Sequence, residues 1–177
     1  MTITFKPLQE TDLDLLCQWL DQPHVKEWWS DGLTHEEIKE KYRQRIGGTI
    51  VVPFVAYLDD KPIGFIQYYH ASKVGDGWWQ DEVDGTVGID QFIGEADYIN
   101  RGYGTQMICA FNKMLFENNA INKIITDVDP KNKRAIRCYE KAGFTFVKEL
   151  MTPDGLAYLM QLTTTKIIPS TNHGEHL

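Results

Sequence analysis

The segment Gly85–Val128 constrains the fold most. It reads as a strand over 85–92, a paired-glycine turn at Gly102-Tyr103-Gly104, a helix carrying Met107, Ile108, Phe111 and Leu115 at helical spacing, and a short apolar strand over 123–128. A strand, a helix and a second strand in that order suggest parallel neighbours, because parallel strands need a crossover connection rather than a hairpin. The turn has a second consequence. Gly102 and Gly104 carry no side chains, the first N–H groups of the helix lack intrahelical acceptors, and the macrodipole adds positive charge at the same end. Such a turn can seat an anion, with a pyrophosphate as its natural ligand, and it serves equally as a plain turn and cap.

The flanking chain supplies further strands and helices. Thr2 to Leu8 alternates as a strand, and Thr11 can cap a helix carrying Leu13, Leu15, Leu16, Trp19 and Leu20 that Pro23 ends or redirects. The Trp28-Trp29 pair precedes a turn at Ser30-Asp31-Gly32, and Thr34-His35-Glu36-Glu37 is a capping box for a helix running to about Ile46. Val51–Leu58 and Pro62–His70 read as a hairpin around Asp59-Asp60-Lys61, followed by a loop that begins at Gly75-Asp76-Gly77-Trp78-Trp79. Asn132 can cap a helix bearing Ala135, Cys138, Tyr139 and Ala142, with Gly143 as its left-handed ending and Phe144 packed back on Tyr139. Phe144–Met151 and Leu156–Thr163 form a closing hairpin around Thr152-Pro153-Asp154-Gly155. At 177 residues the expectation is a single domain over 1–165, with 166–177 a flexible C-terminal tail.

Charge and hydropathy narrow the function classes. The chain has no run of about 18 apolar residues and no charged-then-apolar leader, so the expectation is a cytoplasmic protein without a membrane partner. A net charge of −7 argues against nucleic acid, which needs a basic face. Between Val74 and Asn100 there are seven acids and no Lys, Arg or His, whereas from Arg101 to Leu150 nine basic residues face five acids. The first stretch invites a cation and the second an anion, unless both are ordinary solvated surface. Cys17, Cys109 and Cys138 suit reduced, mostly buried thiols. No metal is implied, since His24, His35 and His70 form no ligand spacing and His173 with His176 lies in the tail.

These parts, in this order, resemble the GCN5-related N-acetyltransferases, which use acetyl-CoA. The resemblance is carried by the Gly102-Tyr103-Gly104 turn and its helix, the strand ending at Asp127, and Asn132-Lys133-Arg134-Ala135-Ile136-Arg137-Cys138-Tyr139-Glu140-Lys141-Ala142-Gly143-Phe144, and it covers residues 2–163. Within that family, Glu27-Trp28-Trp29, Gly75-Asp76-Gly77-Trp78-Trp79, Gly88-Ile89-Asp90-Gln91, Thr126-Asp127 and Thr152-Pro153-Asp154-Gly155 look like the aminoglycoside 6′-N-acetyltransferases. The implied architecture is α/β (α+β), the GNAT fold: a single central mixed, mostly antiparallel sheet of about seven strands, about four flanking helices and a splayed parallel pair at the acetyl-CoA site. One departure is Ile99, where the family's phosphate turn usually has Gln or Arg. A cradle of backbone N–H groups tolerates it.

The resemblance implies an enzyme that moves acetyl from acetyl-CoA to the 6′-amine of an aminoglycoside, conferring antibiotic resistance. The alternatives are another amine acceptor, on a protein or a polyamine, and a non-catalytic binding module. An ammonium cannot attack a thioester, so a carboxylate must take a proton near the acceptor, and the resemblance assigns that base to Asp90. It assigns Tyr139 as the acid toward the leaving thiolate, although its spacing also makes it a core aromatic. Asp127, Asp76 and Asp154 are expected to pair with ammonium groups of the acceptor. Trp28, Trp29, Trp78 and Trp79 are expected as its walls, with core packing the equal alternative for each pair. Arg101, Gly102, Tyr103, Gly104 and Thr105 would take the pyrophosphate and Asn132 a further cofactor bond, with a backbone N–H near Gln91 facing the oxyanion. Lys133 or Arg134 could reach phosphate, with solvated surface the favoured reading for both. Monomer and homodimer both remain open.

Overall fold

β-Branched and aromatic runs form the sheet, and apolar stripes at helical spacing cover it. In a computed structural model, which describes residues 1–29, 32–74, 79 and 82–164, the strands are β1 (Ile3–Pro7), β2 (Val51–Leu58), β3 (Lys61–His70), β4 (Thr86–Ile93), β5 (Lys123–Val128), β6 (Thr145–Thr152) and β7 (Gly155–Thr163). The helices are α1 (Leu13–Leu20), α2 (Pro23–Lys26), α3 (His35–Arg43), α4 (Tyr103–Phe116) and α5 (Lys133–Lys141). The strands make one mixed sheet in the order β1-β2-β3-β4-β5-β7-β6. Every neighbouring pair is antiparallel except β4–β5, the pair joined through α4.

Period-two alternation sorts the core into two layers. Val55, Phe65 and Phe92 face one side and pack with Leu13, Leu16, Trp19, Val25, Ile38 and Tyr42 of α1, α2 and α3. Ile66, Ile89 and Ile93 face the other side, beneath Met107, Ile108 and Phe111 of α4 and Tyr139 of α5. Phe111 is fully buried and meets Phe5 and Phe54 edge-on at 5.0 and 5.5 Å.

Most local signals behave as expected. Thr34 Oγ1 accepts the Glu37 N–H at 3.4 Å while the Glu37 carboxylate accepts the Thr34 N–H at 2.8 Å. At the end of α5, Gly143 has φ 94°, Phe144 N–H donates to Tyr139 O and Gly143 N–H to Glu140 O, both at 3.0 Å, and the two rings meet at 5.3 Å. Other details differ. Thr11 lies inside a 3-10 turn, Glu10–Asp12, and the Asp12 carboxylate accepts the Gln9 N–H at 2.9 Å instead. Pro23 starts a one-turn helix, because its fixed φ suits a first helical position, which brings the helices among the described residues to five against about four expected. α3 stops at Arg43, ahead of the left-handed Gly47. Cys17 is buried and Cys138 half-buried, but Cys109 is exposed, one residue off the buried stripe of α4. The expected C-terminal tail lies outside the described residues. Among the described residues, no helix is long and apolar enough to cross a membrane.

The short pairing of β4 with β5 sets the position of the site. β4 and β5 pair only through Thr86↔Lys123, Val87↔Ile124 and Gly88↔Ile125. Beyond these, β4 stays with β3 to Ile93 and β5 stays with β7 to Val128, and the two parallel strands splay apart.

Candidate active site

Gly88 and Ile125 are the last paired residues of the splayed strands, and Asp90 and Asp127 stand two residues beyond them. Two residues along a strand returns to the same face, so both carboxylates look out on one side of the widening gap. They line a cavity of about 110 Å³ together with Trp28, Trp29, Gln91, Thr126 and Tyr139. Gln91 and Thr126 alternate to the opposite face, where α5 brings Tyr139, 4% exposed, into hydrogen bonds with both side chains. The gap thus has two acids on one side and a phenol on the other. Past Gly88, β4 has no partner on the β5 side, which leaves backbone groups of that edge open to the gap.

Burial dominates the electrostatics. It pushes Asp90 above the usual carboxylate range, against the opposing effects of a hydrogen bond from Gln67 and the charges of Arg45 and Lys41. Asp127 is pushed up to about 7, first by burial and then by the negative charge of Asp90, with Asp154 adding to it and a hydrogen bond from Tyr69 opposing. The two carboxyls therefore titrate as a pair. Burial also raises the Tyr139 phenol, which stays protonated at neutral pH.

Because Asp127 titrates higher in the folded protein than the 3.8 of a free carboxyl, its contribution to stability is full below about pH 4 and is lost as pH rises through about 7. Asp127→Asn removes that loss. Thermal melts are expected to show the variant more stable than wild type at pH 8 and level with it at pH 4; equal melting temperatures at pH 8 would contradict this.

A second cavity, of about 420 Å³, adjoins the first and shares Trp28, Trp29, Gln91, Asn132 and Ala135 with it. Gly102, Gly104 and Thr105 line one end, and Gly102 has φ 84°, a conformation that glycine adopts without strain. Asn132 caps α5 as expected, its Oδ1 accepting the Ala135 N–H at 3.0 Å. Two expectations change. The Arg101 guanidinium donates to Asp97 O at 3.1 Å and lies 5.8 Å from the Tyr103 ring, whose hydroxyl points to Met1 Sδ at 3.5 Å. Neither residue lines the cavity. The lining cations are instead Arg134, Arg137 and Lys141, one stripe along α5 at i, i+3 and i+7. Arg134 lines the cavity, whereas Lys133 lines neither. The stripe supplies the positive charge that Ile99 lacks. Arg134→Ala with Arg137→Ala is expected to raise KM for acetyl-CoA about tenfold with kcat within about twofold, since exposed charges that only bind act equally on ground and transition states. An unchanged KM would remove α5 from phosphate binding.

The remaining expected residues fall into three groups. Trp28 and Trp29 line both cavities, and Trp29 also packs edge-on against Phe65 at 5.7 Å and Phe92 at 4.9 Å, so wall and core roles coincide. Trp79 lines neither cavity. It is 4% exposed in a cluster with Tyr69, Ala71, Ile125 and Leu159, and its indole N–H donates to the Tyr69 hydroxyl, which in turn bonds Asp127. Asp154 is exposed on the β6–β7 turn and lines neither cavity, although its charge acts on Asp127. Asp76 and Trp78 lie outside the described residues. Tyr69, Thr126, Gln67 and Arg45 join the site without having been singled out from sequence. A signal existed for Gln67, a lone polar residue between Phe65 and Tyr69 on an apolar strand face.

The gap thus offers carboxylates that can take a proton and a phenol that can give one, beside a cavity whose glycine turn and three cations suit a phosphate-bearing molecule. Residues 9–152 match the family model of the acetyltransferase (GNAT) domain, and the chain belongs to that family. It is 39% identical over 167 residues to aminoglycoside N(6′)-acetyltransferase type 1 of Klebsiella pneumoniae, covering 92% of this chain and 83% of that protein. The crystal structure of aminoglycoside acetyltransferase AAC(6′)-Ib in complex with coenzyme A and kanamycin superposes with a TM-score of 0.86 at 41% identity, covering 92% of this chain and 95% of that one. The structure of AAC(6′)-Ib with paromomycin and acetyl-CoA gives 0.89 at 38% identity, covering 98% and 99%. The GNAT fold expected from the motifs is therefore the fold of this chain.

Proposed function

We propose that this acetyltransferase moves the acetyl group of acetyl-CoA to the 6′-amine of an aminoglycoside and thereby confers resistance. The observation that carries the reading is the pair of facing carboxylates, Asp90 and Asp127, at the gap where the two cavities meet. A polycationic acceptor rewards such a pair, since each ammonium leaving water needs a fixed partner. The relatives named above act on or bind such acceptors by their names.

The chemistry then runs through residues of this chain. Acetyl-CoA lies in the larger cavity with its phosphates toward Gly102, Gly104 and α5. Asp90 takes a proton from the acceptor ammonium, and the freed amine nitrogen forms a bond to the acetyl carbonyl carbon. The tetrahedral oxyanion is held by backbone N–H groups of β4 beyond Gly88. The C–S bond breaks, the thiolate takes the Tyr139 hydroxyl proton and leaves as a thiol, and the second proton lost by the nitrogen is relayed back to the Tyr139 oxygen, restoring the phenol, while the proton on Asp90 passes to solvent. Asp127 pairs with a neighbouring ammonium.

An acceptor panel monitored by free thiol tests the reading. Kanamycin and tobramycin are expected to release thiol, whereas an aminoglycoside with a hydroxyl at the 6′ position is not. Turnover confined to spermidine or a lysine peptide would replace the acceptor.

A further inference from the structure

Gln67 is 6% exposed and stands opposite Asp90 in the β3–β4 register. A buried amide costs free energy unless both of its ends are bonded. Here both are. Arg45 Nη1 donates to Gln67 Oε1 at 3.1 Å, and Gln67 Nε2 donates to Asp90 Oδ2 at 2.8 Å. A guanidinium can only donate, so Arg45 dictates which end of the amide is oxygen and leaves the N–H group aimed at the carboxylate. Arg45 is itself seated on the turn after α3, with its guanidinium 5.1 Å from the centre of the Tyr42 ring.

We propose that Gln67, oriented by Arg45, is a positioning residue for Asp90: it anchors one carboxylate oxygen so that the other faces the acceptor amine, and it keeps the guanidinium one side chain away from the base. This rests on Asp90 acting as the base. The physical reason is a compromise. A guanidinium bonded directly to Asp90 would hold the carboxylate so strongly that it became a poor proton acceptor. With no donor at all, burial would push the carboxyl higher still. A neutral amide between the two stabilises the carboxylate modestly and fixes its orientation. The groups facing Asp90 are Gln67 and Tyr69 on β3, Lys41 and Arg45 from α3 and the turn after it, Asp127 on β5 and Tyr139 on α5.

The test compares pH profiles of kcat/KM for the acceptor, at saturating acetyl-CoA, in wild type, Gln67→Met, Arg45→Met, Arg45→Lys and Asp90→Asn. Gln67→Met keeps the side-chain length and removes the donor. Its acid limb is expected to move up by about one pH unit and its kcat to fall about tenfold, with KM for acetyl-CoA unchanged. Arg45→Met, which leaves the strand untouched, shifts the limb the same way by less, and Arg45→Lys returns it toward wild type. Acid limbs of Gln67→Met and Arg45→Met that both coincide with wild type, while Asp90→Asn is inactive, overturn this proposal and leave the base in place. Wild-type turnover by Asp90→Asn removes the base itself, and this proposal with it.

Discussion

Replacing Asp90 by Asn is expected to lower kcat/KM for the acceptor by about 10²–10⁴-fold while acetyl-CoA binds as in wild type. The amide has nearly the shape of the carboxylate and can still accept the hydrogen bond from Gln67 Nε2, so the β3–β4 pairing has no reason to change. What it cannot do is receive a proton. The acceptor amine then stays an ammonium without a lone pair, and the acid limb of the pH profile disappears along with most of the rate. Asp127 does not substitute, because its carboxyl faces the gap from the other strand and is held by Tyr69. Acetyl-CoA binding, read by calorimetry, is expected to depend on the glycine turn and α5, which line the adjoining cavity. Turnover within about twofold of wild type would exclude Asp90 as the base, and a parallel loss of acetyl-CoA binding would point to a disrupted fold instead.

Gly88→Ala should be almost as damaging, for a reason unrelated to backbone dihedrals. A methyl group on Gly88 would lie 2.0 Å from Tyr69 Cζ and 2.3 Å from Cε2. Tyr69 is directly across the β3–β4 ladder, is 7% exposed, and is clamped between the Trp79 indole and the Asp127 carboxylate. It cannot swing aside without losing both bonds. Overpacking and broken hydrogen bonds together are expected to cost about 3 kcal/mol, or roughly 10 °C in Tm. Activity falls too, since Asp127 loses the group that holds it. Adding Tyr69→Leu to Gly88→Ala makes room for the methyl and should recover stability without recovering activity. A Gly88→Ala protein melting within about 2 °C of wild type would show that the ring has somewhere else to go.

The two variants mark different depths of legibility. Asp90 is visible in the sequence because it lies on the strand that precedes the glycine turn, in a word shared with a known family. Gly88, two residues earlier, reads as an unremarkable strand glycine, and its reason is a tyrosine 19 residues away that only register places on top of it. Trp79 shows the same limit from the other direction. Its glycine and aspartate neighbours suggest a binding wall, yet the side chain is buried behind Tyr69 and acts on Asp127 through it. Arg101 follows the suggestive turn directly in sequence but swings back to Asp97, while Arg134, Arg137 and Lys141 arrive from a separate helix.

By itself the sequence determines what depends on near neighbours along the chain. That includes the strand–helix–strand crossover with its parallel pair, the glycine turn at the start of α4, the Thr34 and Asn132 caps, the Gly143 ending, and carboxylates on the two parallel strands at Asp90 and Asp127. Hydrophobic period, capping chemistry and left-handed glycine act within a few residues, so they can be read without coordinates. Tertiary structure alone decides where β4 and β5 part, that Gln67 meets Asp90 with Arg45 behind it, and that Asp127 is lifted to about 7 by burial and a facing carboxylate. Those outcomes depend on register, rotamer and burial, quantities set by residues distant in sequence brought within a few ångströms of one another.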